Sequence, residues 1–264
     1  MMAARARFAF TVLAFGYAFL YLPIALVIVY SFNDSRLVTV WAGFSTKWWS
    51  ALFANEAMLS AAWLSLRIAF VSATAAALIG LAAGYALARA PRFPGRTLFG
   101  SLVIAPMVMP EIVMGIAMLL LFVGSDSLLG GPQRGFLTIV IAHTTFAIAF
   151  VAVVVQARLA DFDRSLEEAA MDLGATPWTA FLTVTLPMIA PAVASGWLLA
   201  FTLSLDDLVL TQFVAGAQSQ TLPMQVYSSV RLGVDPQINA LATLIVIVAV
   251  LALTTSGWLT RRRI

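Results

Sequence analysis

The sequence predicts an all-α polytopic membrane protein with six transmembrane helices, and three observations carry that prediction. Of 264 residues, 62% are hydrophobic and 10% charged, whereas soluble domains run at about 45–50% apolar and about 25% charged. A water-soluble globule of this composition would lack the polar surface to cover its core, which excludes a soluble enzyme or a nucleic-acid-binding domain. Six runs also reach the ~20 mainly apolar residues that cross ~30 Å of hydrocarbon at ~1.5 Å per residue. None alternates in polarity as a barrel strand would.

The runs lie at about Phe8 to Ser31, Ala61 to Leu87, Leu98 to Val123, Leu137 to Val155, Pro191 to Val214 and Ala240 to Thr260. The first follows Arg5 and Arg7 as a secretory leader would. It is longer than the ~7–15 apolar residues of such a leader and has no small-residue cleavage site after it, so it reads as a retained span. The connection Ala90-Pro91-Arg92-Phe93-Pro94-Gly95-Arg96 reads as a tight turn. Trp41, Trp48 and Trp49 read as interfacial anchors in contact with membrane lipid. Pro106, Pro110 and Pro191 read as kinks. Met107, Met109, Met114 and Met118 read as adaptable packing. With no cysteine and a single histidine, His143, neither a thiolate site nor a histidine-cluster metal site is expected. No internal repeat is evident, so residues 1–264 read as a single transmembrane domain.

The net charge of +3 informs less than its placement. Arg5, Arg7, Arg89, Arg92, Arg96, Arg158, Arg164, Arg261, Arg262 and Arg263 fall on the side of the termini, against Arg36, Lys47, Arg134 and Arg231 on the other. The positive-inside rule then puts both termini in the cytoplasm. It follows that 156–190 is a long cytoplasmic loop.

That loop contains Arg164-Ser165-Leu166-Glu167-Glu168-Ala169-Ala170-Met171-Asp172-Leu173-Gly174. Ser165 and Glu168 have capping-box spacing, so a helix is expected to start there and to end at Gly174 in a left-handed cap. Thr176 and Pro177 suit the N-cap and first position of a second helix, expected to stop at Leu186-Pro187 where proline breaks it. Two short helices at a glycine bend make a rigid projection, unlike a flexible linker.

Glu168-Ala169-Ala170, three residues, Gly174, nine residues, Val184, one residue and Leu186-Pro187 is similar to the EAA loop of ABC-type importer permeases. Val184 stands where that pattern commonly has isoleucine. The resemblance implies the type I (MetI-like) importer permease fold. It also implies a coupling helix in which Glu168, Ala169, Ala170 and Gly174, followed by Leu186 and Pro187, meet a cytoplasmic ATPase dimer.

Three carboxylates fall inside spans, where ionisable groups mark a pathway or a pairing site. Glu111 lies roughly 20 Å beyond Leu98 and Asp206 roughly 22 Å beyond Pro191 at ~1.5 Å per residue, so they can share a layer; Asp207 is adjacent to Asp206. Two readings stand. In one, Glu111 is protonated or bonded to backbone freed by the prolines, and Arg67 pairs with an aspartate for structural reasons. In the other, the carboxylates line an acidic, water-accessible constriction that favours cations, with Trp197 and Phe201 as candidate cation–π faces.

Leu203-Ser204-Leu205-Asp206-Asp207-Leu208-Val209, then Thr221-Leu222-Pro223-Met224, Tyr227 to Val234 and Ile238 to Thr243 resemble the spermidine/putrescine branch of these permeases. The resemblance implies import of polyamines across a bacterial inner (plasma) membrane. The implied partners are a homologous second permease subunit, a cytoplasmic ATPase dimer and a periplasmic polyamine-binding protein, with no nucleic acid. The sequence contains no Gly-x-x-x-x-Gly-Lys-Ser/Thr phosphate loop, so no cofactor is expected on this chain, ATP-Mg being bound by the ATPase subunits, and no enzymatic activity. A permease of the same family for another small cationic or organic solute, and an autonomous secondary transporter or channel, remain alternatives.

Overall fold

The computed structural model describes residues 2–37, 40–90, 93–232 and 235–261, and these are mostly helical. The expected first and second spans are α1 (Met2–Tyr30) and α3 (Glu56–Arg89), with a short α2 (Lys47–Ala54) between them. Next come α4 (Arg96–Val108), α5 (Glu111–Leu129) and α6 (Phe136–Ala160). After α7 (Ser165–Asp172), α8 (Pro177–Ala180) leads through a π-helical turn (Phe181–Thr185) into α9 (Leu186–Asp206). The remaining helices are α10 (Val209–Val214), α11 (Leu222–Leu232) and α12 (Gln237–Arg261). Among the described residues, five stretches are long and apolar enough to cross a membrane, and α4 and Gln237–Leu251 are shorter apolar helices.

Two expected spans differ from their sequence reading. The third, expected as one helix from Leu98 to Val123, is divided: α4 ends at Val108, Met109 is extended (φ −75°, ψ 138°) and α5 starts after Pro110. Proline restricts the residue before it to extended backbone and lacks the donor that would continue the ladder. The fifth, expected from Pro191 to Val214, starts earlier and ends sooner. Pro177 to Asp206 form one 30-residue apolar stretch, after which Asp207 turns to extended backbone (ψ 123°).

Pro187 was expected to break that helix and does not. It sits in the first turn of α9, directly after the π turn. The wider i→i+5 register shifts the ladder where proline would otherwise leave a carbonyl without its donor.

The chain forms two compact units, Met1–Ser60 with Gln225–Ile264, and Ala61–Met224. In the first, α12 packs against α1 and α2, and Asn55 Nδ2 donates to Gln237 Oε1 at 3.0 Å. Asn33 organises the segment after α1: its amide donates to the Val40 carbonyl and accepts from Ala42 N–H, while its carbonyl accepts the Trp48 indole at 2.8 Å. Trp48 is therefore buried rather than an interfacial anchor, whereas Trp41 is half exposed.

In the second unit α6 is the central element and packs against α4, α9 and α10. Its Val151 fits against glycines on two neighbours. A Cβ on Gly80 of α3 would lie 2.7 Å from Val151 Cβ, and one on Gly196 of α9 would lie 3.3 Å from Val151 Cγ1. Gly84, one turn along α3, faces the Ala152 carbonyl at 2.7 Å by the same measure. This small-residue packing is how membrane helices approach closely when lipid offers no hydrophobic penalty to escape. Met114 is buried in the core formed with Ile68, Phe122, Ile139, Leu210 and Val214, while Met107 is exposed.

Candidate functional site

The connection between α6 and α9 folds as a capped helical projection. α7 begins at Ser165 as expected, but not through a Ser165–Glu168 box. Asp163 Oδ1 accepts the Ser165 N–H at 3.0 Å instead, and that bond holds the Asp163 carboxyl below its ordinary value of 3.8. A carboxylate at a helix start satisfies orphan donors and complements the dipole.

Gly174 ends the helix at φ +91°, with Ala175 N–H bonded to the Ala170 carbonyl (3.0 Å) and Gly174 N–H to that of Met171 (2.9 Å). These are the two bonds of a Schellman cap. Thr176 then caps α8 by accepting Thr179 N–H at 3.2 Å, with Pro177 in the first turn.

The projection leaves Glu168 and Ala169 exposed and Ala170 half buried. Leu166, Met171, Leu173 (91%) and Trp178 (68%) are exposed too. Leu186 packs against the core of α6 and α9, and Pro187 is exposed.

The carboxylates of the fifth span occupy different environments. Asp206 is the last residue of α9 and is exposed. Asp207 caps α10: Oδ2 accepts Thr211 N–H (2.7 Å) and Thr211 Oγ1–H (2.6 Å), and Oδ1 accepts Leu210 N–H (3.3 Å). Two carboxylates side by side in sequence are thus separated by the helix break.

Asp207 also meets His143 of α6, whose Nε2 lies 3.2 Å from Asp207 Oδ2 and 2.9 Å from Thr211 Oγ1. The other ring nitrogen, Nδ1, is 2.7 Å from Ser204 Oγ, and Ser204 Oγ accepts from Ser72 of α3 at 3.0 Å. A ring protonated on Nε2 satisfies this string, donating towards Thr211 and Asp207 and accepting the Ser204 hydroxyl at Nδ1. Four helices are joined by it. His143 (2%), Ser72 and Thr211 (both 0%) and Ser204 are buried, and Asp207 is half buried. Ser, His and Asp are the residues of a hydrolytic relay, yet Ser204 is buried and bonded on both sides, so no substrate carbonyl can approach it.

Arg67, which one of the two sequence readings paired with an aspartate, lies over the Phe136 ring at 5.3 Å. The sequence reading missed His143 as the aspartate's partner, although a lone ionisable residue inside a span was the available signal. Glu111 is exposed in the first turn of α5, where the helix dipole favours a negative charge. Trp197 donates to Thr74 Oγ1 at 3.0 Å and stacks on Phe201 at 5.3 Å; both rings are half buried.

Residues 76–262 match the family described as "Binding-protein-dependent transport system inner membrane component". The chain is 55% identical over 242 residues to the putrescine transport system permease protein PotI of Escherichia coli K12, covering 91% of this chain and 86% of that one. It is 44% identical over 245 residues to the spermidine/putrescine transport system permease protein PotC of the same strain, covering 93% and 90%. In fold it resembles a chain of a bacterial ABC transporter involved in alginate import, with TM-score 0.73, 16% identity and coverage of 98% and 96%. A chain of the MetNI methionine ABC transporter in an inward-facing conformation gives TM-score 0.59 at 20% identity, covering 78% of this chain and 94% of that one.

Proposed function

The chain belongs to the family of binding-protein-dependent transport system inner membrane components, and from that premise we propose that it is a permease subunit importing polyamines, putrescine or spermidine, at the expense of ATP. The substrate class rests on the relatives named as putrescine and spermidine/putrescine permeases. The observation that carries the geometric side is the division of labour between the two aspartates. Asp207 is consumed by Thr211, Leu210 and His143, which leaves the exposed Asp206 carboxylate at the end of α9. Among the described residues, no backbone N–H from beyond the helix closes on its last carbonyls. A carboxylate beside the negative end of a helix dipole attracts an ammonium group.

In this reading the chain lies in a bacterial inner membrane with both termini in the cytoplasm, and it pairs with a homologous permease. A periplasmic binding protein delivers the polyamine. ATP-Mg is bound and hydrolysed by a cytoplasmic ATPase dimer, on which α7 docks through Glu168, Ala169, Ala170 and the apolar side chains of Leu166, Met171 and Leu173. The displacement of α7 then shifts the population between inward- and outward-open states, each stabilised by its own ligand contacts.

The test is substrate-stimulated ATPase activity of the reconstituted importer across diamines and triamines. Asp206→Asn raises the half-saturating polyamine concentration by about tenfold, the worth of about 1.4 kcal/mol of lost charge interaction. Unchanged stimulation in Asp206→Asn removes the acidic-path reading, and stimulation by no polyamine removes the substrate assignment.

A further inference from the structure

Glu167 precedes the residues that carry the family resemblance, and it points the other way. While Glu168 faces solvent, the Glu167 side chain is 16% exposed, with Oε1 3.5 Å from Nε of Arg89. The same oxygen accepts the Thr185 hydroxyl at 2.7 Å. Arg89 is the last residue of α3, and Thr185 is the last residue of the π turn that feeds α9.

Arg89 is itself held in place. Its side chain is 8% exposed, its Nη2 donates to the Phe162 carbonyl at 3.2 Å, and its guanidinium lies over the Phe162 ring at 5.3 Å. Thr185 is fully buried. Its hydroxyl reaches across to the Glu167 carboxylate, whereas Thr183 nearby returns its own hydroxyl to the Thr179 carbonyl four residues back.

We propose that Glu167 is a positioning residue for energy coupling: through Arg89 and Thr185 it ties α7 to the ends of two membrane helices, so that movement of α7 is delivered to both at once. This rests on the reading of α7 as the docking helix. The physical case is one of stiffness. The Thr185 hydroxyl makes a charge-assisted hydrogen bond to the carboxylate, while Arg89 Nε makes no hydrogen bond among the described residues and attracts it as an ion pair. Both resist displacement more than the apolar contacts around them, because separating the partners leaves a charge with less compensation in a poorly solvated place. The carboxylate faces the membrane helices while the adjacent Glu168 and Ala169 face outward. One short helix thus has a face for its partner and a face for its levers. The aromatic contacts Tyr85–Phe181 at 5.0 Å and Trp178–Phe181 at 5.5 Å add apolar support between α3, α8 and the π turn, without the directionality of the polar link.

The experiment uses the reconstituted complex of both permeases, ATPases and binding protein, and reads polyamine taken up per ATP hydrolysed. Glu167→Gln and Thr185→Val, the latter close in shape to threonine, each lower that ratio by about five- to tenfold, within the range of typical coupling between sites. Thr185→Ser, which keeps the hydroxyl, retains it. The double variant is no worse than the poorer single one, since both act through one carboxylate. Docking is read separately with Ala169→Cys, the only cysteine this chain would then carry, by cross-linking to a cysteine on the ATPase surface. An intact cross-link with an unchanged uptake ratio in Glu167→Gln and Thr185→Val overturns the positioning role alone. Failure of Ala169→Cys to cross-link in an otherwise unaltered chain overturns the docking reading and this inference with it.

Discussion

His143→Leu tests whether the polar string holds the break between α9 and α10. Leucine fills much of the imidazole volume, so the change chiefly removes contacts to Ser204 (2.7 Å), Thr211 (2.9 Å) and Asp207 (3.2 Å). Hydrogen bonds between membrane helices average about 0.6 kcal/mol and reach about 1.7. The single Nε2–H is shared between Thr211 and Asp207 and Nδ1 accepts from Ser204, so two such bonds are lost, about 1 kcal/mol, with about 3 kcal/mol as the ceiling. The lower figure applies, because Asp207 keeps its bonds to Thr211 and Leu210 and Ser204 keeps Ser72, so no partner is stripped bare. At about 2–4 °C per kcal/mol for a chain of this size, thermal unfolding of the purified protein followed by tryptophan fluorescence falls by about 2–4 °C. Asp207→Asn lowers it too, and the double variant falls short of the sum by more than about 0.5 kcal/mol, as expected of residues in one network. A midpoint within about 1 °C of the parent in His143→Leu, or additivity within about 0.5 kcal/mol, refutes the reasoning.

Two further outcomes concern glycines. Gly84→Ala places a methyl 2.7 Å from the backbone oxygen of Ala152, whereas at Gly100 the nearest atom is Leu87 Cδ2 at 3.4 Å. Gly84→Ala therefore costs about 1–3 kcal/mol and Gly100→Ala gains up to about 1 kcal/mol from helix propensity, measured by the same unfolding assay. At Gly174 a Cβ meets nothing within 4 Å but φ is +91°, so the penalty is backbone strain alone. Gly174→Val and Gly174→Asp both reduce uptake per ATP, with Gly174→Asn closest to the parent because Asn visits left-handed backbone more readily.

Most of the helices were legible because their cause is local. Apolar run length marked α1, α3 and α6, while Gly174, Thr176 and Pro177 marked the ends of α7 and α8 through chemistry confined to a few residues. What stayed hidden depends on partners distant in sequence. The fifth span read as continuous through Asp206-Asp207 because nothing local stops a helix there. The break is maintained by Asp207 capping α10 and by His143, more than sixty residues away. Pro187 read as a stop because a proline is judged against an α-helical ladder, and the π turn before it changes that ladder. The Ser165–Glu168 spacing read as a capping box, but Asp163, two residues ahead of Ser165, supplies a charged acceptor and takes the N–H first. Glu167 and Glu168 were indistinguishable by residue type. Only the packing of α7 against Arg89 and Thr185 separates the inward carboxylate from the outward one.

The arrangement of polar contacts along α9 bears on how this permease can move. Between Thr185 and Ser204 the helix runs roughly 28 Å at ~1.5 Å per residue. Its packing against α6 there is smooth: Gly196 lies against Val151, and Ile189 and Ala200 sit in the same apolar core; the polar contact in mid-stretch, Trp197 to Thr74, goes to α3. Such a surface resists separation but offers little to stop sliding. Directional contacts sit near the two ends, Thr185 with Glu167 and Arg89 at one and Ser204 with His143 and Ser72 at the other. Both stations include α3, through Arg89 and Ser72. A slide of α9 by one residue past α3, α6 and α7 would break both sets and the Trp197–Thr74 bond together, whereas moving α3, α6, α7 and α9 as one body breaks none of them. Rigid-body movement is therefore the less costly response to a push on α7. The strain of such a movement falls instead on the chain breaks at Met109-Pro110 and Asp207-Leu208, where no continuous helical ladder has to be ruptured. Asp206 and Glu111 stand beside those two breaks, so the carboxylate proposed for the polycation path and the exposed carboxylate that starts α5 sit where such movement changes their surroundings most.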